Sequence, residues 1–180
     1  MDISTKKIMT LGFQLLGLLI LIFVVAFGTL ALRHRGADGP SVLFNGGELV
    51  SGELYGGPEP DWRFTRDVGT IELQLTEPMT SRLIWIVESE GKVYVVSGYM
   101  NSFLGRLWKH WAVQADRDGE AVLRVNGVRY PRQLVRIEQG EVLEGVAAEL
   151  SRKYNSPTTR AAIEAGGTWV FELAPAEGSS

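Results

Sequence analysis

The spacing of apolar residues changes its period along the chain, and each period predicts a different element. No charged residue lies between Ile8 and Leu32, and LGFQLLGLLILIFVVAFGTLAL (11–32) is nearly all apolar, with Gln14 and Thr29 near its ends. As a helix it spans about 33 Å at ~1.5 Å per residue, enough to cross a bilayer core. A cleaved secretory signal has a shorter apolar core, of roughly 7–15 residues, and then a small-residue cleavage site. Here the core is longer and exits into Arg33, His34 and Arg35, which favours an uncleaved anchor.

Residues 33–61 are punctuated by Gly and Pro, which argues against a long helix and for a tether. Short strands are expected in it near Val42–Phe44 and Glu48–Leu54. Beyond it the period becomes two. TIELQLT (70–76) alternates, with Ile71, Leu73 and Leu75 on one face and Glu72 and Gln74 on the other, the pattern of a half-buried strand. LIWIV (83–87) is apolar throughout and predicts a strand covered on both faces; KVYVVS (92–97) completes a hairpin after Ser89-Glu90-Gly91.

VLRVNGVRYP carries the strongest local signal. Asn126-Gly127 between two alternating runs predicts a type I′ turn, because both residues accept positive φ. A two-residue loop sets Val125 opposite Val128, Arg124 opposite Arg129 and Leu123 opposite Tyr130. Pro131 should sit at an edge or interrupt the ladder, and the apolar phase then moves to Val135 and Ile137, which predicts a bulge near Pro131–Arg132.

Period 3.6 appears twice. In 102–115, Phe103, Leu104, Leu107, Trp108, Trp111 and Ala115 share a stripe; in 141–154, Val142, Leu143, Val146, Ala147, Leu150 and Tyr154 do so. Ser156-Pro157 predicts the cap and first residue of a short helix over 158–165, and TWVFEL (168–173) a last strand. Helices do not alternate with strands, so the order predicts a mainly β domain: a mostly antiparallel sheet or barrel with helices outside, preceded by one transmembrane helix. The organisation is a tail (1–10), an anchor (11–32), a tether with entry strands (33–61), the barrel domain (62–174) and a second tail (175–180).

Composition narrows the function. A net charge of −3 and no cysteine among 180 residues exclude a general attraction for nucleic acid, disulfides, thiol catalysis and cysteine-bound metal. His34 and His110 are the only histidines, too few for a histidine metal site, and His110 is expected on a helix surface. Lys6 and Lys7 before the anchor nearly cancel Arg33 and Arg35 after it. A short amino-terminal tail that stays inside leans the barrel towards the outside of the cytoplasm. No P-loop, Rossmann fingerprint, metalloprotease helix or nucleophile elbow is present.

SRLIWIVESEGKVYVVSG, an aromatic WKHW helix, AVLRVNGVRYPRQLVRI, a helix ending in KY and a terminal strand follow one another in residues 62–173. This order resembles the split β-barrel superfamily of pyridoxamine phosphate oxidase-like flavoproteins and deazaflavin-dependent nitroreductases, in a membrane-anchored branch. The resemblance implies a split antiparallel β-barrel with outer helices, pairing as a homodimer and a flavin or deazaflavin ligand, FMN among them. Arg82, Ser97, Trp108 and the Val125–Gly127 turn occupy the matching places. The deazaflavin-binding relatives carry a Gly- and Arg-rich phosphate loop before the arginine strand, where this chain has LTEPMTS (75–81).

Each candidate has a functional and a structural reading. Trp108 or Trp111 can pack on a flavin-like ring while Lys109 meets phosphate, or the tryptophans are core anchors. Arg124 and Arg129, opposed on a hairpin, are relieved by a phosphate or carboxylate ligand, by flanking carboxylates such as Glu120 or Glu138, or by simple exposure to water. Arg82 binds cofactor phosphate or sits at a strand end in water. The cofactor-binding set is therefore Arg82, Ser97, Trp108, Lys109 and Arg124. Three functions remain open: a membrane-anchored flavin- or deazaflavin-type oxidoreductase, a non-catalytic split barrel that binds a small ligand or a protein, and a structural subunit of a membrane assembly. If the anchor is retained, full-length protein fractionates with membranes and needs detergent for extraction; a soluble chain lacking its first residues overturns it.

Overall fold

The computed structural model describes residues 3–103 and 109–176. Helix α1 (Ile3–His34) contains the stretch Met9–His34, with a mean hydropathy of 2.9 and no buried residue over its most apolar window. Its 26 residues rise about 39 Å, so by length and composition the helix can cross a membrane.

Six strands close into an antiparallel barrel. They are β2 (Thr70–Leu75), β3 (Thr80–Ser89), β4 (Lys92–Gly98), β5 (Glu120–Val125), β6 (Val128–Ile137) and β7 (Thr168–Pro175), ordered β6-β5-β2-β3-β4-β7, with β7 pairing back onto β6. A two-residue β1 (Glu53–Leu54) adds to β6 in parallel. Closure leaves no long free edge in the barrel. The fold is compatible with a split-barrel-like architecture.

The barrel parts at one place. The first half of β3, Thr80 to Trp85, pairs with β2, and the second half, Ile86 to Ser89, pairs with β4. The β3–β4 ladder stops at Ile86↔Val95, although β4 runs on to Gly98 paired with β7. Leu83 and Ile84 on one strand and Val96 on the other therefore flank an opening.

Two apolar clusters hold the domain. Inside the barrel are Ile71, Leu73, Ile84, Ile86, Leu123 and Phe171, joined by Trp111, Ala112 and Ala115 of α2 (His110–Arg117). Outside it, α3 (Val142–Tyr154) and α4 (Arg160–Glu164) lay Leu143, Val146, Leu150 and Ile163 on Val87, Tyr94 and Val170. Each fully buried large side chain contributes about 1.5–3 kcal/mol by leaving water.

The end of α3 is a plug. Lys153 Nζ donates to the carbonyls of Thr65 and Ile86, both at 2.8 Å. The Tyr154 hydroxyl receives the Ile86 N–H at 3.0 Å and lies 2.7 Å from the Ile86 carbonyl. Its ring stacks on Trp85 with centroids 4.4 Å apart. Burial pushes the Tyr154 phenol up to about 12 and lowers the Lys153 ammonium. The lysine and tyrosine thus cap backbone groups of β3 beyond the end of β2.

Several expectations are corrected. Val42–Phe44 is a bend, not a strand, and the entry strand shrinks to Glu53–Leu54 plus an isolated Gly46↔Ser81 bridge. Leu83 and Trp85 are partly exposed, because only one face of that half of β3 is covered. No bulge interrupts the β5–β6 register, which runs unbroken from Val125↔Val128 to Glu120↔Gln133. The apparent phase shift comes from Arg132, which takes a buried position between Tyr130 and Leu134. Pro131 sits where β6 leaves β1 and has yet to meet β7, so its missing N–H costs no ladder bond. The last short helix is capped by Thr159, whose side chain accepts from Ala162 N, rather than by Ser156. Within 102–115 the described residues are not one continuous helix: Phe103 is helical, Lys109 lies in a turn, and α2 begins at His110.

The Asn126-Gly127 turn is as expected, with φ of 52° and 76°. A Cβ on Gly127 would meet no atom within 4 Å, so only the backbone conformation resists substitution. Gly127→Val should cost about 1–2 kcal/mol and lower Tm by several degrees; an unchanged thermal melt overturns the turn assignment.

Candidate functional site

The opening between β3 and β4 is the mouth of a pocket of about 650 Å³. Arg82, Leu83 and Ile84 line it from β3 and Val96 from β4; Lys109 and Trp111 come from the start of α2. Ala31 and Arg35, at the end of α1, and Leu43, Phe44 and Asn45 of the tether complete it. Three of these eleven residues are cations and none is acidic.

Arg82 is placed by the pleat. It lies opposite Leu73 and two residues before Ile84, so it occupies an inward-facing position near one end of the barrel. Its guanidinium lies 5.6 Å from the Trp111 ring centroid and Nη2 donates to Thr80 Oγ1 at 2.8 Å. Nε is buried without a hydrogen-bond partner, and among the described residues the group has no carboxylate partner. Burial pulls it down to about 10, still charged at neutral pH. A cation held this way in a cleft favours an anion.

Arg132 makes the contrast. It too points inwards, with its guanidinium 4.7 Å from the Trp62 ring centroid, and its Nε is likewise unpartnered. Yet its Nη1 lies 2.9 and 2.8 Å from the two carboxylate oxygens of Glu59. That charge is neutralised by the protein itself.

Arg124 is also answered. Its Nε and Nη2 grip Glu72, and Nη1 reaches Asp38 Oδ1 at 2.7 Å and Ser51 Oγ at 2.9 Å. Asp38 in turn accepts the N–H groups of Val50 and Ser51. The carboxylates are therefore Asp38 and Glu72, not Glu120 or Glu138. Arg129, opposite, donates to the carbonyls of Gly52 and Leu49. The two arginines fasten the tether to the barrel. Gly39 allows the close approach: φ is 89° and a Cβ there would collide with the Arg124 guanidinium.

Of the sequence-derived candidates, the structure brings Arg82 and Lys109 together in one pocket. Ser97 is buried on β4, its hydroxyl 3.3 Å from Met100 Sδ, and does not line the pocket. Arg124 is committed to its ion pairs elsewhere. Trp108 lies outside the described residues. His110 is exposed, and among the described residues no group of three or more His, Asp or Glu side chains can hold a metal. Arg35 and Phe44 were missed. Arg35 reads in the sequence only as a charge flanking the anchor.

A second cleft, of about 730 Å³, lies between the β6–β7 edge and α4. Its Arg136 pairs with Asp116 and Glu138 and lies 3.7 Å from the Trp169 ring centroid, and its Arg160 pairs with Glu164. These cations are already neutralised. No family model, curated protein or solved structure matches the chain.

The Arg124 cluster yields a pH prediction. Hydrogen bonds from Ser51, Val50 and Arg124 hold the Asp38 carboxyl well below its ordinary value of 3.8. Its stabilisation is complete above that value and is lost as the pH falls towards the lower folded value. Thermal stability should drop on acidification below about pH 4, less so in Asp38→Asn. Glu72→Gln, which leaves Arg124 short of one charge partner, should cost about 3 kcal/mol by denaturant melt; a loss under 1 kcal/mol would refute the fastening role.

Proposed function

We propose that this chain is a membrane-anchored, non-catalytic binding domain of split-barrel type, whose cleft takes an anionic, phosphate-type ligand. One observation carries the reading: an inward-facing arginine with an unpartnered Nε and no carboxylate, in a cleft that adds Lys109 and Arg35. A phosphate monoester or diester supplies acceptor oxygens for the Nη atoms and neutralises the guanidinium charge.

The flavin- or deazaflavin-type oxidoreductase is the second reading, and the residues fit it only in part. Arg82 and Lys109 suit a cofactor phosphate. The ring has less to rest on: the aromatic lining residues described are Trp111, 5% exposed beneath Arg82, and Phe44, whose ring meets Phe27 and His34. No free aromatic platform remains among them for a flat heterocycle.

Full-length protein in detergent distinguishes the two. It should purify without visible absorption and bind glycerol 3-phosphate calorimetrically. Arg82→Gln should weaken that binding about tenfold or more, the equivalent of one charge-assisted hydrogen-bond site. Its melting temperature should stay level or rise, since an unneutralised cation is removed. A bound chromophore in the wild-type protein, whether or not it is lost in Arg82→Gln, overturns the proposal in favour of the oxidoreductase. Absence of phosphate binding overturns it outright.

A further inference from the structure

We infer that the anion is the phosphate headgroup of an anionic phospholipid in the leaflet where the anchor emerges, and that the Val42–Leu43 tip enters that leaflet beside it. The inference rests on the anion-binding reading of the cleft and specifies its occupant.

The cleft is built partly from the anchor. Ala31 lies in the last turn of α1, and Arg35 follows its final residue, His34. The apolar span ends at the same His34, so the cleft opens where the helix passes from hydrocarbon to the headgroup layer. Cations at that depth meet anionic lipid phosphates.

The tether supplies the apolar half. Ser41 N donates to the Phe44 carbonyl at 2.9 Å, and Phe44 N to Ser41 Oγ at 3.0 Å, closing a tight loop with Val42 and Leu43 at its tip. Those two side chains are 89% and 77% exposed. Phe44 turns back onto the anchor, its ring 4.9 Å from Phe27 and 5.6 Å from His34. Phe27 lies seven residues before His34, about 10 Å down the helix axis. The loop therefore lies alongside the apolar helix, and its exposed valine and leucine stand where lipid, not water, is the neighbour. Leu43 also lines the cleft, so acyl chain and headgroup contacts are continuous. A soluble phosphate would use the cations and leave the apolar tip without a role.

The test uses the full-length chain in a neutral detergent, titrated with dihexanoyl phosphatidylglycerol, dihexanoyl phosphatidylcholine and glycerol 3-phosphate, each as a monomer. Phosphatidylglycerol should bind at least tenfold more tightly than either of the others. Arg82→Gln, and separately the surface change Lys109→Gln, should each lower that affinity. The double variant Val42→Ser/Leu43→Ser should weaken phosphatidylglycerol and leave glycerol 3-phosphate unchanged. If glycerol 3-phosphate binds as tightly as phosphatidylglycerol, the lipid inference fails while the anion-binding reading stands. Equal binding of the two lipids also sinks it, since charge is then not recognised. If none of the three binds, the anion-binding reading itself has failed.

Discussion

A guanidinium inside a β-barrel keeps its charge throughout the neutral range, so something must neutralise it where it stands. That constraint organises much of this molecule. Three arginines on barrel strands leave little of their charge in water. Arg124 is met by Glu72 from the neighbouring strand and Asp38 from the tether, and Arg132 by Glu59 from the segment before β2. In both cases the answering carboxylate comes wholly or partly from residues 33–61, which explains why a Gly- and Pro-rich stretch with almost no secondary structure is nevertheless laid down in one course. Arg82 faces the third demand, and no carboxylate among the described residues meets it.

The place of that unmet demand follows from topology. β3 is shared between two neighbours, β2 along its first half and β4 along its second. Where a strand changes partners, one edge of each half goes unpaired, and the fold closes the two gaps differently. At the β2 side, Lys153 and Tyr154 fill the gap with side-chain hydrogen bonds to Ile86. At the β4 side the gap stays open and is lined by Arg82, Lys109 and the end of α1. One discontinuity is sealed and the other becomes a cleft.

Local patterns were legible in the sequence wherever one residue's neighbours decide its conformation. The Asn126-Gly127 turn fixed its hairpin register to the residue, and the 3.6 period located α3 to within one position. What the sequence hid depends on distant partners. Arg132 looked like a break in alternation because its apolar environment and Glu59 are invisible from its own strand. LIWIV looked buried on both faces because apolar content does not reveal that Leu83 and Trp85 face outward where cover is incomplete. Arg82 and Lys109 stood out singly as cations in apolar company. That they meet, and that Arg35 joins them, is set by barrel closure and by the docking of the tether.

The tether's double fastening gives the cleft its position relative to α1. Gly46 pairs with Ser81, the residue next to Arg82, and Phe44 rests on the anchor two turns below its end. One residue, Asn45, therefore separates a contact on the barrel wall from a contact on α1. With so short a connection, flexible hinging between α1 and barrel would have to break either the backbone bridge or the aromatic contact. The Asp38–Arg124 pair adds a second brace on the same segment. A freely swinging domain would need none of this, and a Gly-rich linker without contacts would serve it better. The braces hold one end of the barrel, the end at which Arg82 meets no described carboxylate, against the end of α1.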